Sequence, residues 1–155
     1  MIGVEKQASF VEGANKRQLK SQASNENSSS NGPKRIMNMS FTIDDNCEAN
    51  LITLIAKTMN ENDPGSFEKN RQNIGMISLH SCGDLTPSMI KVFEKNKEGF
   101  KFMAAFSCCY HSMVKLTNSE GFKNFPMSQS LIKIMNNECF ELSIFGLRLA
   151  CQQNM

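Results

Sequence analysis

The chain has 155 residues, about one domain, enough to bury roughly 70% of the surface that its unfolded form exposes. Its formal net charge of +2 comes from scattered Lys and Arg, and no basic run is dense enough to indicate a nucleic-acid-binding surface. No apolar run approaches the roughly 20 residues of a membrane helix, and the N-terminus lacks a signal-peptide pattern. Six cysteines without disulfide-framework spacing predict reduced thiols. We therefore expect an intracellular protein, cytoplasmic or nuclear, with no membrane partner.

The first part of the chain carries a strand signal, a helix signal and a polar segment. Residues 1–5 form an apolar run that ends in an acid, Glu5. Residues 8–21 place apolar side chains loosely on one helical face. The low-complexity polar segment 21–33 buries too little apolar surface to order itself, which predicts a mobile loop.

A second strand and helix follow the polar segment. Residues 36–43 alternate apolar and polar side chains and end at Asp44 and Asp45, which predicts a strand with an acidic tip. Residues 48–60 carry a helical pattern. The turn residues at 62–65 include Pro, which fixes φ, and Gly, which tolerates a positive φ, so they are predicted to close that helix.

The middle of the chain holds its most informative pattern. Two apolar runs, 74–79 and 102–106, each lead into a cluster of polar and sulfur-containing residues. A helical pattern over 86–96 lies between them, so the unit is predicted to be strand, helix, strand with the two strands parallel. The clusters are HSCGDL at 80–85 and SCCYH at 107–111. Because open parallel sheets bind ligands at the carboxyl ends of their strands, both clusters mark a candidate site.

The pattern weakens towards the end of the chain. Residues 125–128 predict a loop that enters a helix capped by Ser128. Residues 139–152 predict a last helix, and no internal repeat is found. Strand and helix signals alternate along the chain, which favours an α/β fold of one partial domain over residues 1–155.

Four segments together resemble the methyltransferase-like protein 25 family, whose relatives include proteins named for a ribosomal RNA adenine dimethylase domain. The segments are VEKQASFVEGANKRQ, ISLHSCGDLTPSMIKVF, FSCCYHSM and NFPMSQSL. The pairing of His-x-Cys-Gly-Asp-Leu with a later Ser-Cys-Cys-Tyr is their most specific part. The resemblance implies a class I methyltransferase that depends on S-adenosylmethionine and has a Rossmann-like, seven-stranded sheet. Its methyl acceptor, whether RNA, a protein or a small molecule, stays open.

The resemblance also implies that the domain is partial. The class holds the methionine part of the cofactor with a glycine-rich loop after the first strand, and glycine is required because the backbone approaches the ligand closely. This sequence contains no Gly-x-Gly, and its first strand matches the family's second. We therefore expect a partial Rossmann-like class I methyltransferase sheet, with its first strand and glycine-rich loop missing. The chain alone is expected to be inactive, and a non-catalytic interaction protein is the alternative.

The resemblance assigns cofactor contacts to the strand ends. The predicted cofactor-binding residues are Glu5, Asp44, Asp45, His80, Cys82 and Gly83. Glu5 is expected to accept hydrogen bonds from the ribose hydroxyls, and the alternative is a solvated acid beside a helix N-terminus. Asp44 or Asp45 is expected to accept a hydrogen bond from the adenine amino group, with helix capping equally open. The third predicted strand ends beside the reactive methyl group.

The same resemblance implies where catalysis occurs. The predicted catalytic residues are Asp84, His80 and Tyr110. Asp84 is a candidate proton acceptor, and capping of the following helix is the alternative. Tyr110 and His111 are expected to orient a planar acceptor, while Cys108 and Cys109 line the pocket as small apolar side chains. The motif differs from the Asn/Asp-Pro-Pro-Tyr type of amino-methylating enzymes, so the acceptor atom stays open.

The two clusters also contain the ligand types that zinc takes. These residues are His80, Cys82, Cys108, Cys109 and His111. Their spacing lacks the Cys-x-x-Cys pattern of structural zinc sites, and adjacent side chains on a strand point to opposite faces. The sequence therefore predicts no structural metal.

Overall fold

The computed structural model describes residues 1–24, 36–117, 121–138 and 142–151. The strands are β1 (Ile2–Glu5), β2 (Met37–Ser40), β3 (Ile74–Cys82) and β4 (Phe100–Cys108). The helices are α1 (Ala8–Ser24), α2 (Glu48–Asn62), α3 (Ser66–Asn70), α4 (Leu85–Lys95), α5 (Gln129–Glu138) and α6 (Ile144–Ala150), with short 3-10 helices at Arg71–Asn73 and Tyr110–Ser112. The chain divides into two compact units, Met1–Lys69 and Asn70–Met155. The predicted α/β class is confirmed.

A two-stranded parallel sheet forms the centre of the first unit. β1 pairs with β2 from Ile2 opposite Met37 to Glu5 opposite Ser40, and α1 lies between the two strands in sequence. A parallel pair requires such a crossover, because a tight turn can only join antiparallel strands. In α2, Leu51 and Ile55 lie one helical turn apart and are both buried, so one face of this helix packs into the core of the unit.

The first unit differs from the sequence prediction at its boundaries. β2 spans only Met37–Ser40, and the Phe41 amide makes one further hydrogen bond to the Glu5 carbonyl at 2.9 Å. α1 continues to Ser24, so the start of the predicted polar loop is helical, and residues 25–33 of that loop lie outside the described residues.

The predicted turn at the end of α2 is confirmed, but the two short helices that follow it were not predicted. α2 ends at Asn62, and Gly65 has the positive φ of 79° that the turn chemistry indicated. α3 then buries Phe67, and its Ser66 hydroxyl donates to the Met59 carbonyl at 2.9 Å. A five-residue helix is too short to show hydrophobic periodicity in a sequence, and tertiary contacts of this kind decide its conformation instead.

The second unit contains the predicted strand, helix, strand arrangement. β3 and β4 are parallel and α4 connects them, as the sequence indicated. One face of this sheet is covered by α4, whose Val92 is fully buried and whose Met89 is 3% exposed. Met76 of β3 and Phe100 of β4 are also buried, so the core of this unit lies on the α4 side of the sheet.

The opposite side of the β3–β4 sheet presents large apolar side chains to solvent. Ile77 and Leu79 of β3 are 65% and 71% exposed, and Phe102 and Phe106 of β4 are 49% and 65% exposed. Parallel sheets in α/β proteins normally carry helices on both faces. In the part of the chain that the structure describes, β1–β2 and β3–β4 each form a two-stranded sheet. This arrangement is consistent with the expected partial Rossmann-like sheet.

Of the two helices predicted near the end of the chain, one is confirmed and the other is described only in part. The Ser128 hydroxyl accepts a hydrogen bond from the Leu131 amide at 3.1 Å and so caps α5, as predicted. In the described part of the predicted helix over 139–152, the helical segment is α6, which Ser143 caps by accepting from the Gly146 amide at 3.0 Å. Residues 139–141 and 152 lie outside the described residues. Across the described ranges, no helix has the length and apolar character needed to cross a bilayer.

Two phenylalanines of β4 provide a matched test of where the core lies. Phe100 is 3% exposed with its ring 6.5 Å from that of Phe93, whereas Phe106 is 65% exposed. We expect Phe100→Ala to lower the free energy of unfolding by about 3 to 5 kcal/mol, because it leaves a cavity in the core. Phe106→Ala should cost less than about 1 kcal/mol. Urea unfolding of both variants measures the difference, and equal losses would contradict the assignment of the core to the α4 side.

Candidate functional site

Glu5 occupies the carboxyl end of β1. Its Oε1 atom accepts a hydrogen bond from the Gln7 amide at 3.1 Å, just before α1 begins. Within the described residues, Oε2 accepts no hydrogen bond, and the side chain is exposed. The carboxylate is thus held in position by one oxygen while the other faces solvent. The ribose role and the alternative of an acid beside a helix start are both compatible with this geometry.

Two open cavities lie in the first unit. One, of about 300 Å³, is lined by Glu5 together with residues of β1 and α1, among them Val11 and Arg17. The other, of about 640 Å³, is lined by α1, α2 and the beginning of β2. The larger cavity lies at the amino end of its strand, whereas parallel sheets bind ligands at the carboxyl ends. The smaller cavity is therefore the better candidate for a ligand.

The predicted acidic tip after β2 forms a turn rather than a helix cap. Asp44 is exposed, and its Oδ1 atom accepts from the Asn46 amide at 3.0 Å, which closes an Asx turn. The residue before α2 is Cys47, which makes no side-chain cap, and burial raises the pKa of its thiol. Asp45 is half-buried in the same turn. Capping therefore does not account for Asp44, and a contact of either acid with adenine stays a prediction.

Three cysteines meet at the carboxyl ends of β3 and β4. Cys82 lies opposite Cys108 in the parallel register, and their Sγ atoms are 3.1 Å apart. The Sγ atom of Cys109 completes a group in which all three atoms lie within 4.8 Å of one another. The His80 Nδ1 atom lies 3.9 Å from the Cys108 Sγ atom. We call these four residues the thiol cluster.

Alternation along a strand does not separate the side chains of the thiol cluster. His80 lies at an irregular step of β3, where the register with β4 shifts between Ser78 and Ser81, so strict alternation does not decide on which face its ring lies. Cys108 and Cys109 are adjacent, but Cys109 follows the last residue of β4 and has a left-handed φ of 47°. This turn brings its side chain back towards Cys82 and Cys108 instead of to the other face. The prediction that Cys108 and Cys109 point to opposite faces is therefore wrong, because Cys109 lies beyond the end of the strand.

Hydrogen bonds with Cys82 raise the pKa values of the Cys108 and Cys109 thiols. The hydrogen bond with Cys82, followed by desolvation, raises the pKa of Cys108 to about 12. The pKa of Cys109 is also raised, with the hydrogen bond to Cys82 as the largest cause. The thiolate is the nucleophilic form of cysteine, so neither side chain has the character of a covalent catalyst at neutral pH.

Asp84 holds the loop that follows β4. Its Oδ2 atom accepts from the Val114 amide at 2.6 Å, and its Oδ1 atom accepts from the Asn124 side-chain amide at 2.9 Å. Asn124 is buried, and its Oδ1 atom accepts from Lys91 of α4. Asp84 occupies the position before α4 but makes no side-chain cap. The carboxylate is therefore occupied by loop contacts, a role that neither sequence-based alternative included.

Gly83 allows the chain to approach this same loop. Its φ is 54°, and a Cβ atom there would lie 2.6 Å from the Ser112 carbonyl oxygen. Any other residue would therefore be strained and would collide with backbone. The sequence predicted that Gly83 permits close approach of a ligand, whereas the described close approach is to the chain's own loop.

The predicted acceptor-side residues contact a cysteine from the end of the chain. The Tyr110 amide donates to the Cys151 Sγ atom at 3.0 Å, and the Tyr110 hydroxyl donates to the Ser107 carbonyl at 3.2 Å. The His111 Nδ1 atom lies 3.4 Å from the same Cys151 Sγ atom. Cys151 carried no motif signal, and its participation follows only from the packing of α6 against the Tyr110–Ser112 turn.

The predicted site residues thus form two groups, each within one unit. His80, Cys82 and Tyr110 follow or end the paired strands β3 and β4, with Gly83 and Asp84 in the adjoining loop. The other group follows β1 and β2 and consists of Glu5, Asp44 and Asp45. Both groups occupy the carboxyl ends of parallel strands, where α/β folds bind ligands.

Comparison with known proteins identifies relatives of this chain. A sequence model of the family described as "Methyltransferase domain" matches residues 1–116. The chain is 38% identical over 56 residues to "Probable methyltransferase-like protein 25" of Homo sapiens, which is 36% of this chain and 8% of that protein. It is 41% identical over 49 residues to the Mus musculus protein of the same name, or 32% of this chain and 7% of that protein.

These matches confirm the predicted family resemblance and define its extent. The matched segments span less than a tenth of the length of the human and mouse proteins. No solved structure matches the chain.

The hydrogen bonds of Asp84 generate a prediction about its loop. We expect Asp84→Ala to increase the hydrogen-exchange rate of the Val114 amide about tenfold, because it removes a charge-assisted acceptor. The Leu116 amide, which donates to the Gly121 carbonyl at 2.9 Å, serves as an internal reference. Glu98→Ala removes an exposed acid of the same unit and should leave both rates unchanged. An unchanged Val114 rate in Asp84→Ala would rule out the anchoring role.

Proposed function

Because the chain belongs to the methyltransferase-domain family, we propose that it forms the carboxyl-terminal part of an S-adenosylmethionine-dependent methyltransferase domain. The observation that carries the proposal is the position of Glu5 at the carboxyl end of β1, beside an open cavity and with one carboxylate oxygen unoccupied among the described residues. A fixed carboxylate at such a strand end is suited to hold a ribose through its hydroxyl groups.

The first unit is proposed to hold the nucleoside part of the cofactor. Glu5 would accept hydrogen bonds from the ribose hydroxyls, while Val11 of the same cavity offers apolar contact. Asp44 or Asp45, after β2, would accept from the adenine amino group. S-adenosylmethionine supplies a methyl group bound to a positively charged sulfur. The sequence contains no Gly-x-Gly, so its residues fit the nucleoside part of the cofactor but provide no glycine-rich loop for the methionine part.

The second unit is proposed to form the acceptor side. Its polar and sulfur-containing side chains gather at the carboxyl ends of β3 and β4, with His80 and Tyr110 among them. Asp84 would act there mainly by holding the loop at Val114 and Asn124 in position. The formal charge of +2 does not select among RNA, protein and small-molecule acceptors. A non-catalytic, interaction-only relative is the competing proposal, supported by the missing glycine motif.

Calorimetric titration of S-adenosylmethionine distinguishes these proposals. We expect little binding to the 155-residue chain and clear binding to a longer polypeptide that adds a strand and a Gly-x-Gly loop upstream. In that longer polypeptide, Glu5→Gln should weaken binding about tenfold or more, because hydrogen bonds to a charged group are lost.

Glu12→Gln is the matched control, since it makes the same charge change on an exposed position of α1 outside the smaller cavity. Equal affinities of Glu5→Gln and the unsubstituted polypeptide would remove Glu5 from the site. Absence of binding by both the short and the long polypeptide would favour the interaction protein.

A further inference from the structure

We propose that Cys82, Cys108, Cys109 and His80 form a zinc site at the carboxyl ends of β3 and β4. The inference depends on the second unit alone and is independent of S-adenosylmethionine binding. It gives His80 and Cys82 a structural role at the acceptor side in place of a contact with the cofactor.

The three sulfur atoms are already spaced as ligands of one ion. With Zn–S bonds of about 2.3 Å, a tetrahedral site places its sulfur atoms about 3.8 Å apart. The Sγ atoms of Cys82, Cys108 and Cys109 all lie within 4.8 Å of one another, and those of Cys82 and Cys108 are 3.1 Å apart. Zinc would therefore require this pair to separate by only about 0.7 Å, which side-chain rotation provides.

His80 is the candidate for the fourth ligand, and its nitrogen atoms lie outside the group of three Sγ atoms that are all within 4.8 Å of one another. With Zn–N and Zn–S bonds of about 2.0 and 2.3 Å, tetrahedral geometry places nitrogen and sulfur about 3.5 Å apart. The observed distance from His80 Nδ1 to Cys108 Sγ is 3.9 Å. His80 lies where the register of β3 with β4 shifts between Ser78 and Ser81, so its side chain must rotate to bring a nitrogen within bonding distance of an ion held by all three sulfur atoms. The proposed ligand set is then three thiolate sulfur atoms and one imidazole nitrogen.

The chemistry of this set selects zinc over the hard divalent cations. Thiolate sulfur and imidazole nitrogen are soft and borderline ligands, whereas Mg²⁺ and Ca²⁺ require oxygen. Binding releases the three thiol protons to solvent and leaves the imidazole neutral, so the bound site carries a net charge of about −1. Four protein ligands leave no open position, which is the arrangement of a structural site.

A structural metal at this position would fix the loop that follows β4. Cys109 has a left-handed backbone conformation that is uncommon for residues other than glycine, and a metal bond would hold it there. The Tyr110–Ser112 turn begins at the next residue, so zinc would also set the position of Tyr110. The site would stabilise the second unit whether or not the chain transfers methyl groups.

Cobalt substitution under reducing conditions tests the site directly. The 155-residue chain, freed of metal and kept with a phosphine reductant, is titrated with Co²⁺ and then with Zn²⁺. We expect one equivalent of Co²⁺ per chain to give the visible bands of tetrahedral cobalt and a near-ultraviolet thiolate charge-transfer band. Zn²⁺ should then abolish both. A folded, reduced chain that gives no such bands would overturn the proposal.

Single substitutions test the ligand set. Cys82→Ser, Cys108→Ser and His80→Ala should each weaken Co²⁺ binding by well over tenfold, with far-ultraviolet circular dichroism confirming that each variant is folded. Cys47→Ala, in the first unit, and Cys151→Ser, beside Tyr110, should bind as the unsubstituted chain does. Loss of binding in Cys151→Ser with retention in His80→Ala would refute the assignment of the fourth ligand. A Cys82–Cys108 disulfide that persists under reductant and prevents metal uptake would refute the site.

Discussion

The parallel pairing of β3 with β4 is the constraint on which the chemistry of the second unit depends. Because α4 carries the chain back across one face, both strands run in the same direction and deliver their polar ends to one edge. The register then sets Cys82 opposite Cys108. A shift of one residue would send these side chains to different faces and separate them. The arrangement of side chains at this edge is thus a consequence of backbone hydrogen bonding.

Elements with strong periodicity were predictable from the sequence, and so was the edge at which the site lies. The run at 74–79 and the helical pattern at 86–96 located β3 and α4, because buried faces repeat every two residues in a strand and every 3.6 in a helix. α3 was not predicted, because it depends on the burial of Phe67 against the rest of the fold rather than on a local sequence pattern. Family resemblance, rather than composition, supplied the functional assignment.

The individual roles of the site residues were less predictable. Gly83 and Asp84 sit in a motif that resembles a ligand-binding one, yet their described contacts are with the loop at Ser112 and Val114. The partners in those contacts lie about 30 residues further along the chain, a separation that local patterns do not encode. The conformation of Cys109 was equally unpredictable, because nothing in a Cys-Cys pair indicates a positive φ. Contacts distant in sequence therefore required the structure.

The exposed apolar face of the β3–β4 sheet has a thermodynamic consequence. Unfolding raises the heat capacity mainly by bringing apolar surface into water, and Ile77, Leu79, Phe102 and Phe106 are already 49% to 71% in contact with it. They therefore contribute less to the heat-capacity change on unfolding than fully buried side chains would. The stability of this unit should consequently vary less steeply with temperature than that of a sheet covered on both faces, with a shallower curve towards both heat and cold.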